Sequence, residues 1–117
     1  GPAPTTEHPE YSMIRHVVFF TVPNDGNLDT VRKGLQLLTQ IPNAKHLEIA
    51  LNRKTDPASK EIDVVVYGEF VDDEALAAYK AHEIYAESIR RVKPLREMRL
   101  AADYDTARAF VAPDDEA

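Results

Sequence analysis

Three ring side chains stand at steps of three in "AAYKAHEIYAES", residues 77–88: Tyr79, His82 and Tyr85. A fourth ring, His16, lies in the middle of "SMIRHVVFFTV". An imidazole can take or give a proton near neutral pH, and a phenol can donate to a carbonyl oxygen. Two imidazoles and a phenol around a small organic molecule would suit enolisation of a carbonyl substrate. His16, Tyr79 and His82 are therefore the candidate catalytic residues. Each also has a plainer reading. His16 can be a buried structural histidine, and the other three can be amphipathic packing residues whose polar tips reach solvent or backbone. At ~100° per residue, two steps of three drift by about 120°, so the trio is no tight stripe on one helix.

Other chemistries find less support. The chain has no cysteine, which excludes disulfides, a thiolate nucleophile, iron–sulfur clusters and Cys-ligated zinc. His16, His46 and His82 are scattered, His8 lies in the N-terminal arm, and no His-x-x-x-His is present. Asp56, Glu61 and Asp63 read as a solvated loop and strand edge. The four glycines are isolated, so there is no phosphate loop or dinucleotide fingerprint, and no nucleophile elbow marks a serine. No metal and no cofactor are expected. Arg90, Arg91, Lys93, Arg96 and Arg99 form a basic cluster, read either as an anion site at a dimer edge or as a solvated face complementing a helix dipole.

The 117 residues suit a single domain, with 44% apolar and 29% charged residues in a globular balance. The formal charge of −6 is concentrated at the ends: residues 1–12 carry −2 and residues 105–117 carry −3, leaving −1 for residues 13–104. A nearly neutral body argues against non-specific nucleic-acid binding, which needs a net basic surface. No apolar run is long enough to cross a bilayer, no signal peptide is visible, and the chain is read as cytoplasmic. The opening "GP" resembles a protease-cleavage scar. Residues 1–12 read as a disordered arm, and residues 105–117 as an acidic tail, with Phe110 and Val111 frayed or docked on a neighbour.

Between them, hydrophobic periodicity places the elements that must position the rings. "SMIRHVVFFTV" reads as a strand closed by Pro23, with Ile14, His16, Val18, Phe20 and Val22 on one face. A helix follows from about Leu28 with Asn27 as its cap, its stripe Leu28, Val31, Leu35 and Leu38; Gly34 weakens it unless it permits close packing. "AKHLEIALN" alternates as a half-buried strand, and "IDVVVYGEF" is a third strand, apolar on both faces. A second helical region starts at Asp72, Asp73 and Glu74 and stops at Pro94. "REMRLAADY" is the last strand, with Met98, Leu100, Ala102 and Tyr104 on one face. The order β-α-β-β-α-β predicts an α+β, ferredoxin-like fold: a four-stranded antiparallel sheet with helices on one face. The other face, with Val17, Phe19, Val65 and Tyr67, is too apolar to stay wet, which predicts a two-fold homodimer, sheet facing sheet.

In this frame the chain resembles the stress-responsive A/B barrel, or Dabb, family. "MIRHVVFFTV" is similar to its opening strand, and "IPNAKHLEIALN" to its Ile-Pro-Gly-Val segment and second strand. "DVVVYGEFVDDEALAAYKAHEIY" is similar to its third strand, acidic helix start and Tyr-x-x-His signature, and "VKPLREMRLAADY" to its Lys-Pro-Leu segment and last strand. The resemblance spans residues 13–104. It implies a dimer whose sheets close into an α/β barrel, with a cavity in each subunit between sheet and helices. It also implies a break between two short helices at His82, which would let Tyr79 and His82 converge on His16. Val18, Phe20 and Tyr85 are then the expected ligand-pocket residues.

Family members that cyclise polyketides by an aldol-type step match at His16, Tyr79 and His82. They carry a general-base histidine where this chain has Tyr85, another histidine near Val64, and a proline where this chain has Glu83. The expected function is accordingly a stress-responsive, homodimeric Dabb protein that binds a small apolar or aromatic molecule, with no demonstrated catalysis. The alternative is a cyclase-like or isomerase-like enzyme using His16 and Tyr79, with His82 orienting.

Overall fold

The computed structural model describes residues 12–113. Four strands, β1 (Ile14–Phe20), β2 (His46–Leu51), β3 (Val64–Phe70) and β4 (Arg99–Asp105), form one antiparallel sheet in the order β2-β3-β1-β4. Helix α1 (Leu28–Gln36) follows β1, and α2 (Asp73–Ala81) and α3 (Glu83–Val92) follow β3. This is the ferredoxin-like β-α-β-β-α-β arrangement, with its second helical region broken in two at His82.

The core lies between sheet and helices. Even-numbered residues of β1 and β3 point into it: Val18, Phe20, Val64, Val66 and Phe70 are buried. They meet Val31 and Leu35 of α1, Leu38 of the following 3-10 turn, Leu76 and Tyr79 of α2, and Val92 of α3. Gly34 is the point of closest approach between α1 and α3. A Cβ there would sit 2.9 Å from Val92 Cγ2 and 3.3 Å from Arg91 Cβ. Its carbonyl accepts a 2.9 Å bond from the Ser88 hydroxyl. The glycine therefore permits close packing and compensates its poor helix propensity in that way.

Local signals differ from the sequence reading at four places. Asn27 makes no side-chain cap bond to α1; instead Asn24 accepts from the Gly26 amide at 2.9 Å and caps a short 3-10 turn that leads into the helix. Asp63 is no solvated edge: it is 9% exposed, accepts from the Val22 amide at 2.6 Å and from Lys54 Nζ at 2.7 Å, and so fastens the end of β1 to the loop before β3. Lys54 reaches it from a left-handed backbone conformation, φ 59°. The last strand begins at Arg99 rather than Arg96, because residues 93–95 form a turn after α3. It also runs through Asp105, whose neighbour Thr106 closes on Met13, with its hydroxyl accepting from the Met13 amide at 2.9 Å. Beyond it, Phe110 and Val111 are exposed by 94% and 71%. The N-terminal arm up to residue 11 and the acidic residues 114–117 lie outside the described residues.

The opposite face of the sheet carries no helix. Phe19, Leu100 and Tyr104 are exposed there, with Val17, Val65 and Tyr67 half-buried beside them. Arg15 lies on this face too, donating to the Tyr104 hydroxyl at 3.1 Å. No helix among the described residues is long and apolar enough to cross a membrane.

Candidate functional site

Between the sheet and the helices lies a cavity of about 320 Å³. That falls at the small end of ligand-site volumes, which run roughly 300–1,000 Å³. Its inner wall is apolar: Val18 and Phe20 of β1, Val66 of β3, Leu35, Leu38 and Val92. His16, Tyr79, Tyr85 and Ser88 add polar atoms to the lining. Lys80, Lys93, Arg96 and Arg99 complete it.

His16 is 1% exposed, and β1 places it between Gly68 of β3 and Asp103 of β4. Gly68 makes room for what surrounds the imidazole: a Cβ on it would lie 2.8 Å from Leu47 Cδ1 and 3.0 Å from the Phe70 ring. Phe70 and Tyr79 each meet the imidazole edge-on at 6.2 Å between ring centres. On the other side, His16 Nδ1 lies 2.5 Å from Asp103 Oδ1. An ionised carboxylate only accepts, so Nδ1–H donates, and in the neutral ring Nε2 keeps its lone pair. Burial pushes the His16 pKa below its ordinary value; Asp103 opposes the shift, and the Lys80 and Arg99 charges add to it.

Tyr79 sits in the last turn of α2 and is 1% exposed, packed 4.9 Å from Phe70 between ring centres. Its hydroxyl has no hydrogen-bond partner among the described residues. Burial raises its pKa strongly, with Tyr85 adding to the rise and Arg99 opposing it, so the phenol stays protonated and able to donate. Tyr85, in the first turn of α3, meets Tyr79 edge-on at 5.3 Å. Residues six apart on one continuous helix would face well apart, by about 120°. The break at His82 is what brings these two rings together.

His82 itself is placed differently from Tyr79. Its backbone is extended, φ −71° and ψ 146°, and it ends α2 while starting α3. The ring Nδ1 accepts from the Ile84 amide at 3.0 Å, as an N-cap side chain does, and His82 is not among the cavity's wall residues. Of the three rings expected to converge, His16 and Tyr79 line the cavity together with Tyr85, Val18 and Phe20. His82 does not join them, because its ring nitrogen is engaged by the helix start.

Asp103, Ser88, Lys80 and Arg99 are site residues that the sequence reading missed or left unplaced. Asp103 was within reach: in "RLAADYD" the residues alternating with Leu100, Ala102 and Tyr104 are Arg99, Ala101 and Asp103, the helix-facing set. What the sequence lacks is the β1–β4 register that sets Asp103 opposite His16. The basic cluster divides. Glu87 takes Arg90 and Arg91, accepting from Arg90 Nε at 3.1 Å and Arg91 Nε at 2.8 Å, while Lys93, Arg96 and Arg99 turn to the cavity.

The stress responsive A/B barrel domain matches residues 14–106 of the chain. Among solved structures, the chain is similar to a dimeric ferredoxin-like protein of unknown function from Jannaschia sp. CCS1, with 19% identity, a TM-score of 0.70, and coverage of 79% of this chain and 97% of that one. A Dabb family protein with a ferredoxin-like fold from Mesorhizobium loti MAFF303099 is 26% identical, with a TM-score of 0.66 and coverage of 80% and 95%. Hydroxynitrile lyase from Passiflora edulis shares 16% identity at a TM-score of 0.67, with coverage of 85% and 97%. No curated protein matches the chain.

Proposed function

The chain belongs to the stress-responsive A/B barrel domain family, and we propose that it is a homodimeric protein that binds one small apolar or aromatic molecule in the cavity of each subunit. The observation that carries this reading is the cavity itself: an apolar wall with Tyr79 in its lining, whose hydroxyl has no protein partner among the described residues. A ligand oxygen in the cavity would supply that hydroxyl with a hydrogen-bond acceptor. The homodimer is supported by the apolar outer face of the sheet and by Arg15 Nε, which is buried there without a hydrogen-bond partner. Solved relatives described as dimeric add to it. A cysteine-free chain suits a cytoplasmic setting.

The test is a calorimetric titration with a neutral aromatic probe, 4-butylbenzyl alcohol. Saturable binding of one probe per subunit is expected, abolished by Val18→Phe, which fills the cavity. Absence of saturable binding by this alcohol and by its carboxylate and phosphate counterparts alike would sink the reading.

One observation favours catalysis as a second reading: the His16–Asp103 pair. A carboxylate that fixes the imidazole through Nδ1 leaves Nε2 as a base. In this reading Nε2 takes a proton from the carbon beside a carbonyl, and Tyr79 donates a hydrogen bond to the enolate oxygen that results. His82, by setting the angle between α2 and α3, orients Tyr79. Turnover of a carbonyl substrate lost in both His16→Gln and Tyr79→Phe would favour it; turnover unchanged in both would exclude it.

A further inference from the structure

Four cations line the cavity, Lys80, Lys93, Arg96 and Arg99, and no aspartate or glutamate among the described residues does. This is unusual in a chain whose net charge is −6. None of the four has a carboxylate partner among the described residues. Arg99 makes one long contact, 3.5 Å from Nη2 to the Tyr85 hydroxyl. Other basic residues of the same region are paired: Glu87 holds Arg90 and Arg91, and Asp29 holds Arg32 and Lys33. Asp103, the carboxylate nearest to the imidazole, is engaged by His16 and does not line the cavity. The cations come from three places in the chain, the last turn of α2, the turn after α3 and the start of β4, so no single helix dipole explains their convergence.

Their burial grades outward. Lys80 and Lys93 are exposed and Arg96 and Arg99 are half-buried, while Val18, Phe20, Leu38 and Val66 at the other side of the cavity are buried. A cleft with one sign of charge and low-dielectric walls focuses its field on whatever enters. Guanidinium groups add a planar donor fork that matches carboxylate and phosphate oxygens.

We propose that Lys80, Lys93, Arg96 and Arg99 form an anion subsite at the outer end of the cavity, and that the ligand is an amphipathic organic anion. Its apolar or aromatic body lies against Val18, Phe20 and Val66, and its carboxylate or phosphate head lies among the cations. This inference rests on the pocket reading above and names the chemical class of its ligand.

The test compares three probes with one body by calorimetry on the full chain: 4-butylbenzoate, 4-butylphenyl phosphate and the neutral 4-butylbenzyl alcohol. At least one anionic probe is expected to bind tenfold or more tightly than the alcohol. The preference should shrink between roughly 0.05 M and 0.5 M salt, as screening shortens the field. In the double variant Lys93→Gln, Arg96→Gln, both surface-reaching positions, it should fall to within about threefold, measured on the same variant. The tighter of the two anions identifies the head group. If the alcohol binds as well as both anions, the anion subsite is overturned while the pocket stands. If none of the three binds, the pocket reading falls and the subsite with it.

Discussion

His16 and Asp103 stand directly opposite each other on β1 and β4, and the imidazole Nδ1 reaches the carboxylate at 2.5 Å. Burial of the ring nevertheless outweighs this pairing and depresses the His16 pKa below its ordinary 6.5. The folded state then binds fewer protons than the unfolded one as the pH drops past 6.5, so stability rises with pH in that window. The contribution is complete above the unfolded value and is lost as the pH falls through the lower folded value. Melting temperatures taken from about pH 7.5 to about pH 5 should fall, and His16→Gln should flatten that part of the profile. Asp103→Asn removes the group that opposes the shift, so its acid loss should be steeper than that of the unaltered chain. A flatter profile in Asp103→Asn would mean that the folded state holds His16 charged.

His82 acts at the kink as an N-cap. His82→Ala should lower stability by about 1 kcal/mol in urea unfolding, the usual loss for a cap side chain. His82→Asn, which keeps a capping acceptor, should recover most of it. Equal losses in the two variants would mean that the ring, not its cap bond, holds the kink.

Much of this site was legible in the sequence, and the remainder was hidden for identifiable reasons. The alternation of β1 put His16, Val18 and Phe20 on the helix-facing side, and a two-residue period is enough to read that. Tyr79 and Tyr85 required the break at His82, and helix periodicity alone separates them. Asp103 and Asp63 depend on register and loop closure, which bring together residues 87 and 41 positions apart. No local pattern carries that information.

Gly34 should not tolerate a methyl group. Alanine would gain about 1 kcal/mol in helix propensity, but overpacking a filled contact costs about 1–3 kcal/mol. The β-branched Val92 is stiff and cannot swing clear of a Cβ 2.9 Å away. Gly34→Ala should therefore lose about 1 kcal/mol net, read from the urea midpoint, with Val92→Ala in the same chain relieving the clash. A higher midpoint in Gly34→Ala would show that α1 and α3 can separate freely.

Asp63→Ala leaves the Val22 amide buried without its 2.6 Å acceptor. A loss of about 1–3 kcal/mol is expected. Lys54→Ala should cost less, at most about 1 kcal/mol, because Nζ sits on a half-exposed side chain and its pairing is screened. Comparable losses in both variants would assign the stability to the ion pair instead of the backbone bond.

In the proposed homodimer, the helix-free face of the sheet ties the protein's stability to its abundance. When two copies cover Phe19, Leu100 and Tyr104 for each other, folding and association are one equilibrium, and mass action enters the free energy. Each tenfold dilution then removes about 1.4 kcal/mol per mole of dimer. Dilution acts as a mild denaturant, and synthesis of more chain protects the chain already made.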